Sequence, residues 1–417
     1  MTTISRFIGF LLVILFFFLT SCSSDDNSPA LEPVKAMTSA NLTTYLEELA
    51  QDPNLPGFAI SIVKDGKLKY QEAFGYADVE NKVPYTNETV NSIASVSKTF
   101  VGVAVVKAIE QGYFTLETDI STLLPVTIIN PKQPNIPIRI RDLVTHTSGL
   151  LDAPEVYLAN NYYILEGENT STPGASLLMN EIGIEQREAF DLDEFLAEYF
   201  LEDGAMYSLN NFANTAPGTT WSYSNLATGL MGFIIESVTQ ESFDEYVRTQ
   251  ILEPLQMNAS SYAISDIDTE LMAVRYLDTQ TPFPFYSNDS YPEGGLYSTN
   301  RDMGKYLLDM ANGIKGQSTQ LFSTEMYNLL FAPQLQAGIV PADFAENHGL
   351  FWYRKDGKVM HGGNSFGIST HLEIAENGNS GYLFLSNMDA SFSGNYEKYN
   401  SVISRVEKAV DQFIEAN

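Results

Sequence analysis

Leu42, Tyr45, Leu46 and Leu49 recur at helical spacing and predict a helix over residues 38–50. The apolar run Phe58-Ala59-Ile60-Ser61-Ile62-Val63 and the segment Lys67-Leu68-Lys69-Tyr70 flank Asp65-Gly66. That predicts a β-hairpin, because Asp-Gly accepts the positive φ values a two-residue hairpin turn requires. From Ser95 to Gln111 the chain reads as a largely apolar helix, with every position from Phe100 to Ile109 apolar except Lys107, and Gly112 follows. A helix that is hydrophobic all round belongs in a protein interior, and glycine is a common stop. Residues 113–290 read as mostly helical with long loops, with a further apolar helix over Leu226–Val238. Strands return at Leu350–Tyr353, Val359–Met360, Gly367–Glu373 and Gly381–Ser386, and a helix from about 397 to 416 closes the chain. Strands at both ends around a helical middle predict an α+β fold. Its antiparallel sheet would draw on both ends of the chain, be flanked by helices and carry an inserted helical subdomain.

Ahead of this pattern, Arg6 precedes an apolar run from Phe7 to Leu19, too short for a spanning helix and basic on its flank, as in a secretory signal peptide. The run ends in Leu19-Thr20-Ser21-Cys22, which resembles the lipobox of bacterial lipoproteins. The resemblance implies cleavage before Cys22, lipidation of that cysteine and anchoring to a membrane in the cell envelope, facing the periplasm or the outer surface. Ser23-Ser24-Asp25-Asp26-Asn27-Ser28-Pro29 follows as a polar tether. The expected partition is signal peptide 1–21, tether 22–36 and one folded domain 37–417.

Composition removes several classes of function. Hydrophobic residues make up 44% of the 417, ample for a large core. Asp and Glu number 52 against 23 Lys and Arg, a net charge of -29, and such a surface repels phosphate backbones, so no nucleic acid is expected as a partner. Cys22 is the one cysteine, which excludes internal disulfides and thiolate metal sites. His146, His348, His361 and His371 show no metal-ligand spacing, and no metal or cofactor is expected.

Candidate chemistry begins at Ser95-Val96-Ser97-Lys98, an S-x-x-K at the start of the apolar helix. Positions i and i+3 share a helix face, so the Lys98 amine can reach the Ser95 hydroxyl, and the helix N-terminus favours a developing oxyanion. A lysine desolvated there can serve as a base. Ser61-Ile62-Val63-Lys64 repeats the spacing on an expected strand, where i and i+3 face opposite ways. Tyr223-Ser224-Asn225, led in by Pro217-Gly218, offers a phenol for proton shuttling and an amide to orient a substrate. Tyr286-Ser287-Asn288 lies in a loop-like stretch without that lead-in. His361-Gly362-Gly363 ends a strand, where glycine lets a substrate backbone lie against the edge and the imidazole supplies a donor or acceptor.

These three elements in this order resemble the serine β-lactamase and penicillin-binding-protein family. The resemblance runs from about residue 40 to 415 and includes Gly75-Tyr76-Ala77-Asp78, Leu143-Val144-Thr145-His146-Thr147-Ser148-Gly149-Leu150, Pro254-Leu255-Gln256-Met257 and Gly294-Gly295-Leu296-Tyr297-Ser298-Thr299. The branch most similar is that of class C β-lactamases with their carboxypeptidase, aminopeptidase and esterase relatives. The resemblance implies the family's β-lactamase/transpeptidase-like fold, with Ser95 as the acylated nucleophile, Lys98 as its base and Tyr223 sharing the proton traffic. Asn225, His361, Gly362 and Gly363 would bind substrate, with an oxyanion hole made by the backbone N–H groups of Ser95 and Asn364. His146 falls in a loop that is structural in the family.

Two departures qualify the substrate. Family β-lactamases usually carry Lys-Thr-Gly where this chain has His361-Gly362-Gly363, so efficient antibiotic hydrolysis is not expected. The stretch 151–216, with Tyr157, Tyr162, Tyr163 and Tyr207, reads as a long insertion that either forms a lid at the site or lies on the surface. The expected activity is acyl-enzyme hydrolysis of D-amino-acid peptides, as in a D-alanyl-D-alanine carboxypeptidase, or of small esters and amides, with weak β-lactam turnover. A non-catalytic penicillin-binding or sensor lipoprotein on the same fold is the alternative. Gly363-Asn364-Ser365-Phe366-Gly367 also matches the G-x-S-x-G nucleophile elbow, but the residues after it read as a strand where the elbow requires a helix.

Overall fold

A computed structural model describes residues 37–417 apart from Ser318. The signal peptide, Cys22 and the tether lie outside the described residues. An eight-stranded sheet forms the frame. Its strands are β1 (Gly57–Lys64), β2 (Lys67–Asp78), β3 (Val83–Pro84), β4 (Asn347–His348), β5 (Tyr353–Lys355), β6 (Lys358–Ser365), β7 (Ile368–Ala375) and β8 (Ser380–Ser386). They lie in the order β4-β5-β6-β7-β8-β1-β2-β3 with antiparallel pairing throughout. Both ends of the chain therefore supply the sheet, as the α+β reading expected, and the join is the β1–β8 pair, Phe58 opposite Ser386.

Strand alternation sorts β1 between two cores. Phe58, Ile60 and Ile62 pack with α1 (Ser39–Leu49) on one face. Ala59 and Val63 face the larger core, which contains α2 (Ser97–Glu110) and α3 (Asn225–Thr239). Helix α4 (Asn300–Ile314) lies against the sheet on this second face, and α5 (Tyr396–Ala416) joins α1 on the first. The β1–β2 hairpin turns at Asp65 and Gly66 with φ of 51° and 73°, the geometry the Asp-Gly pair was expected to adopt. No helix among the described residues is long and apolar enough to cross a membrane.

Two expected elements differ. Leu350, Phe351 and Trp352 are fully buried yet form no strand, which begins only at Tyr353. Phe351 sits at φ 56° and donates its N–H to Val144, so the run plugs the core as an irregular segment instead of extending the sheet. Tyr286–Asn288 is a short strand, not a loop, paired with Tyr162–Ile164 of the 151–216 stretch. That stretch itself is built from short helices and strands, among them Tyr157–Asn161 and Leu192–Phe200, whose apolar faces join the main core.

Candidate active site

Ser95 lies in a one-turn 3-10 helix, Ala94–Val96, that leads directly into α2. Its predecessor Ala94 is held at φ 45°, a left-handed conformation costing an alanine about 1–2 kcal/mol, while the Ala94 N–H donates to Ser92 Oγ at 3.1 Å. One turn on, Lys98 is fully buried, and its Nζ donates to Ser95 Oγ at 3.1 Å. The i, i+3 reach expected from the sequence is therefore made. The competing pair is not: Ser61 Oγ is bonded to Asn300 Oδ1 at 2.7 Å, and Lys64 binds the Ile414 carbonyl.

Tyr223-Ser224-Asn225 forms the entry to α3. Ser224 caps the helix by accepting from Ala227 N at 3.0 Å. The half-buried Asp152 carboxylate accepts from Ser224 Oγ at 2.9 Å, Asn225 N at 2.7 Å and Leu226 N at 3.0 Å, fixing all three residues. Burial outweighs these donors and pushes the Asp152 carboxyl up to about 6. His146 supports the tyrosine ring, its own ring lying 4.5 Å away, and accepts from Ser224 N at 3.3 Å. Burial first, then the His348 and Lys98 charges, hold the His146 pKa well below that of a free imidazole. The Tyr223 hydroxyl faces both Ser95 and Lys98; burial raises its pKa and the Lys98 charge opposes the rise.

The third element, on β6, sits against Ser95. An added Cβ at Gly363 would stand 2.4 Å from Thr370 Oγ1, 2.6 Å from the Ile93 carbonyl oxygen and 2.9 Å from Ser95 N, so only glycine permits this approach. Gly362 N–H donates to Tyr353 OH at 2.7 Å and therefore points to the edge of β6 away from β7. The N–H of Asn364, two residues on, shares that direction, the one needed to join Ser95 N in an oxyanion hole. His361 Nδ1 donates to the Gly362 carbonyl at 2.6 Å. Burial, with the Lys98 charge, drives its pKa well down, so the ring is neutral and Nε2, which has no partner, is an acceptor.

Ser95, Tyr223, Asn225, His361, Gly362 and Asn364 line one cleft of about 350 Å³. Lys98 lies beneath it, and Gly363 forms the contact between β6 and the Ser95 segment. Tyr157, Leu158 and Tyr162 of the 151–216 stretch supply an apolar wall together with Phe366 and Phe392. Asp356, Glu373, Asp389, Glu407 and Asp411 border the same cavity farther out, but Glu373 pairs with Tyr382 on the α1/α5 face of the sheet, opposite the face of His361 and Leu372, and Lys358 is paired with Glu373. Among the described residues no group of three His, Cys, Asp or Glu is placed to hold a metal ion. Ser365 ends β6 and turns directly into β7, so the nucleophile-elbow context is absent, and its Oγ is occupied by Tyr286 OH at 2.9 Å.

Sequence reasoning passed over two carboxylates. Asp152 follows Ser148-Gly149-Leu150 by two residues, and Glu293 immediately precedes the Gly294-Gly295 pair. Glu293 is buried and receives Lys98 Nζ at 3.0 Å on Oε2. An acidic residue flanked by these otherwise apolar and glycine-rich stretches was the available signal.

A family profile described as Beta-lactamase matches residues 42–401. Protein flp of Staphylococcus aureus (strain MRSA252) is 25% identical over 389 residues, covering 89% of this chain and 70% of that protein. Esterase EstB of Burkholderia gladioli is 28% identical over 283 residues, covering 66% of this chain and 64% of EstB. Among solved structures, D-amino acid amidase from Ochrobactrum anthropi SV3, complexed with D-phenylalanine, superposes with a TM-score of 0.65 at 20% identity over 89% of this chain and 99% of that one.

Proposed function

This chain belongs to the beta-lactamase family, and within it we propose a serine acyl hydrolase that acts through an acyl-enzyme on Ser95 and prefers uncharged or cationic amides and esters, D-amino acid amides foremost. The observation that carries the reading is Ser95 Oγ within 3.1 Å of a buried Lys98, at a helix N-terminus and against a glycine-lined strand edge. Ser95 attacks the acyl carbon, its proton passes into the Lys98–Tyr223 pair, and the N–H groups of Ser95 and Asn364 stabilise the oxyanion. The leaving amine or alcohol takes a proton back from the same pair, and water then releases the acid. Asn225 and the edge of β6 hold the substrate amide.

The charge pattern supports the substrate preference. A neutral His361 offers little to a terminal carboxylate, as on a D-alanyl-D-alanine end or a penicillin. Uncharged or ammonium-bearing acyl groups make no demand for a cation there. The esterase EstB and the D-amino acid amidase lend support as relatives in sequence and in fold. Intact-mass spectrometry after an activated ester, with Ser95→Ala and Ser365→Ala alongside, tests the nucleophile: labelling should vanish only in Ser95→Ala. Hydrolysis of D-phenylalaninamide should exceed that of D-alanyl-D-alanine peptides; the reverse order would favour a carboxypeptidase, and binding with no turnover of either would favour the sensor. We also propose that Cys22 carries a lipid that anchors the enzyme in the cell envelope; Cys22→Ser should move it from the membrane fraction to the soluble one.

A further inference from the structure

Glu293 is a buried charge that the chemistry above leaves without a task. It ends the short 3-10 helix Tyr291–Glu293 and is 2% exposed. Its carbonyl oxygen accepts from Lys98 Nζ at 2.6 Å and its Oε2 accepts from the same nitrogen at 3.0 Å. Ser95 Oγ at 3.1 Å is a third acceptor, and the Tyr223 hydroxyl is also in hydrogen-bonding contact, so Lys98 Nζ is ringed by oxygens, the setting of an ammonium, which has no lone pair to offer. The other carboxylate oxygen, Oε1, is held from behind by Tyr157 OH at 2.9 Å and Asn288 Nδ2 at 3.1 Å, with Asn161 Nδ2 at 3.4 Å. The carboxylate thus accepts from Lys98, Tyr157, Asn288 and Asn161, and Lys98 is its partner in an ion pair.

We propose that Glu293 is a positioning residue for catalysis: through its carboxylate and its carbonyl it holds Lys98 as an ammonium aimed at Ser95. The inference rests on the Ser95 reading above and assigns the work within the Lys98–Tyr223 pair. Lys98 donates to Ser95 Oγ and steadies charge there, while Tyr223 takes the Ser95 proton. As the Ser95 O–H bond breaks and the bond from Oγ to the acyl carbon forms, the phenol's own proton moves to the leaving nitrogen or oxygen, whose bond to the acyl carbon breaks. No net charge accumulates on the phenol.

The effect on pH dependence has a definite sign. Burial pulls the Lys98 pKa down, and the negative charges of Tyr223, once ionised, and of Glu293 bring it back above its ordinary value. Near neutral pH the phenol is un-ionised, so Glu293 is the anion that acts there. Removing its charge must let Lys98 lose its proton at lower pH. Lys98 also faces His146 and His361, both already neutral. Around Glu293 stand Asp152, which titrates near 6, and the phenols of Tyr157, Tyr162 and Tyr262, all pushed upward. None of these groups titrates where the Lys98 limb would move.

The test compares wild type with Glu293→Gln in Ser95 acylation by an activated ester across pH 5 to 11. The alkaline limb of the rate should shift to lower pH in Glu293→Gln by at least about one unit, a tenfold loss on that limb, and Glu293→Asp should restore part of it. A uniform drop with the limb unmoved overturns the proposal. Should Glu293→Gln fail to fold, NMR of [13Cε]lysine wild type decides, with the Lys98 signal identified by its loss in Lys98→Arg. That signal should keep its ammonium position through pH 9, and a neutral amine at pH 8 overturns the inference. A wild type that no ester acylates would sink the Ser95 reading, while the lysine signal would still judge Glu293.

Discussion

Gly363→Ala is the smallest change expected to disable the site, and its size can be worked from the contacts. The added Cβ would fall 2.6 Å from the Ile93 carbonyl oxygen and 2.9 Å from Ser95 N, both backbone atoms of the segment that carries the nucleophile. Restoring the first contact to an ordinary 3.4 Å needs a shift of about 0.8 Å between β6 and that segment. Overpacking of this kind costs about 1–3 kcal/mol of stability. A displacement approaching 1 Å between nucleophile and oxyanion donors costs about 10²-fold in rate, up to about 10³ if one donor is lost. Gly362→Ala is the internal comparison, because its Cβ would find Tyr353 OH at 3.4 Å and the Thr370 carbonyl oxygen at 3.9 Å, ordinary contacts. Purified variants would be assayed for kcat/KM on a chromogenic ester and for Tm. Gly363→Ala should lose about 10²-fold or more, and Gly362→Ala about tenfold or less. A Gly363→Ala enzyme within threefold of wild type, or two variants equally impaired, would refute the close-approach argument.

Asp152→Ala strands two helix N–H groups and the Ser224 hydroxyl, and should cost about 2 kcal/mol or more together with most of the activity, read by thermal melting and ester hydrolysis. Because burial raises the Asp152 carboxyl from 3.8 to about 6, the folded state holds that proton more tightly than the unfolded chain. Its contribution to stability is full below about pH 4 and falls as pH rises through 6, so the Tm gap between wild type and Asp152→Ala should narrow across that window. His361→Lys places a cation at the strand edge and should tighten the KM for carboxylate-bearing substrates by about 10–100-fold without aiding neutral esters; an unchanged KM would argue against the edge as the recognition site. Tyr286→Phe removes the donor to Ser365 Oγ and the Phe366 carbonyl and should cost about 1 kcal/mol in Tm assays while kcat stays within a few-fold.

Ser95, Lys98, Tyr223, Asn225 and the glycine pair were legible because each rests on local geometry: a helix register, a helix cap, a strand edge. The elements around them were legible for the same reason, with the 3.6 and 2 periodicities marking α1, α5 and the β1–β2 hairpin. What escaped was set by contacts distant in sequence. Glu293 looks like a surface acid in a turn until α2 delivers Lys98 beneath it, 195 residues earlier in the chain. Asp152 likewise acquires its task only when α3 brings three donors to it. Leu350-Phe351-Trp352 carries a strand's composition, but the backbone turn at Phe351 sends the run into the core. The tyrosines of 151–216 divide by placement. Tyr157 and Tyr162 stand in the cleft wall, whereas Tyr207 packs on Phe212 and Tyr163 lies under Arg187, so only part of the stretch borders the site.

The β1–β8 pair carries a consequence for how the molecule comes into being. Residue 58 finds its neighbour at 386, and β1 is an interior strand with β2 on its other side. A chain that emerges in order thus presents a hairpin with one long edge open, and more than three hundred further residues must follow before that edge is covered. The loop to be closed is long, and topologies dominated by such distant pairings fold slowly. Until then the exposed edge and its apolar faces are open to other chains. Closure of the sheet is therefore a late event of folding, and Ser95 meets the β6 edge only once strands from the two ends of the chain have joined.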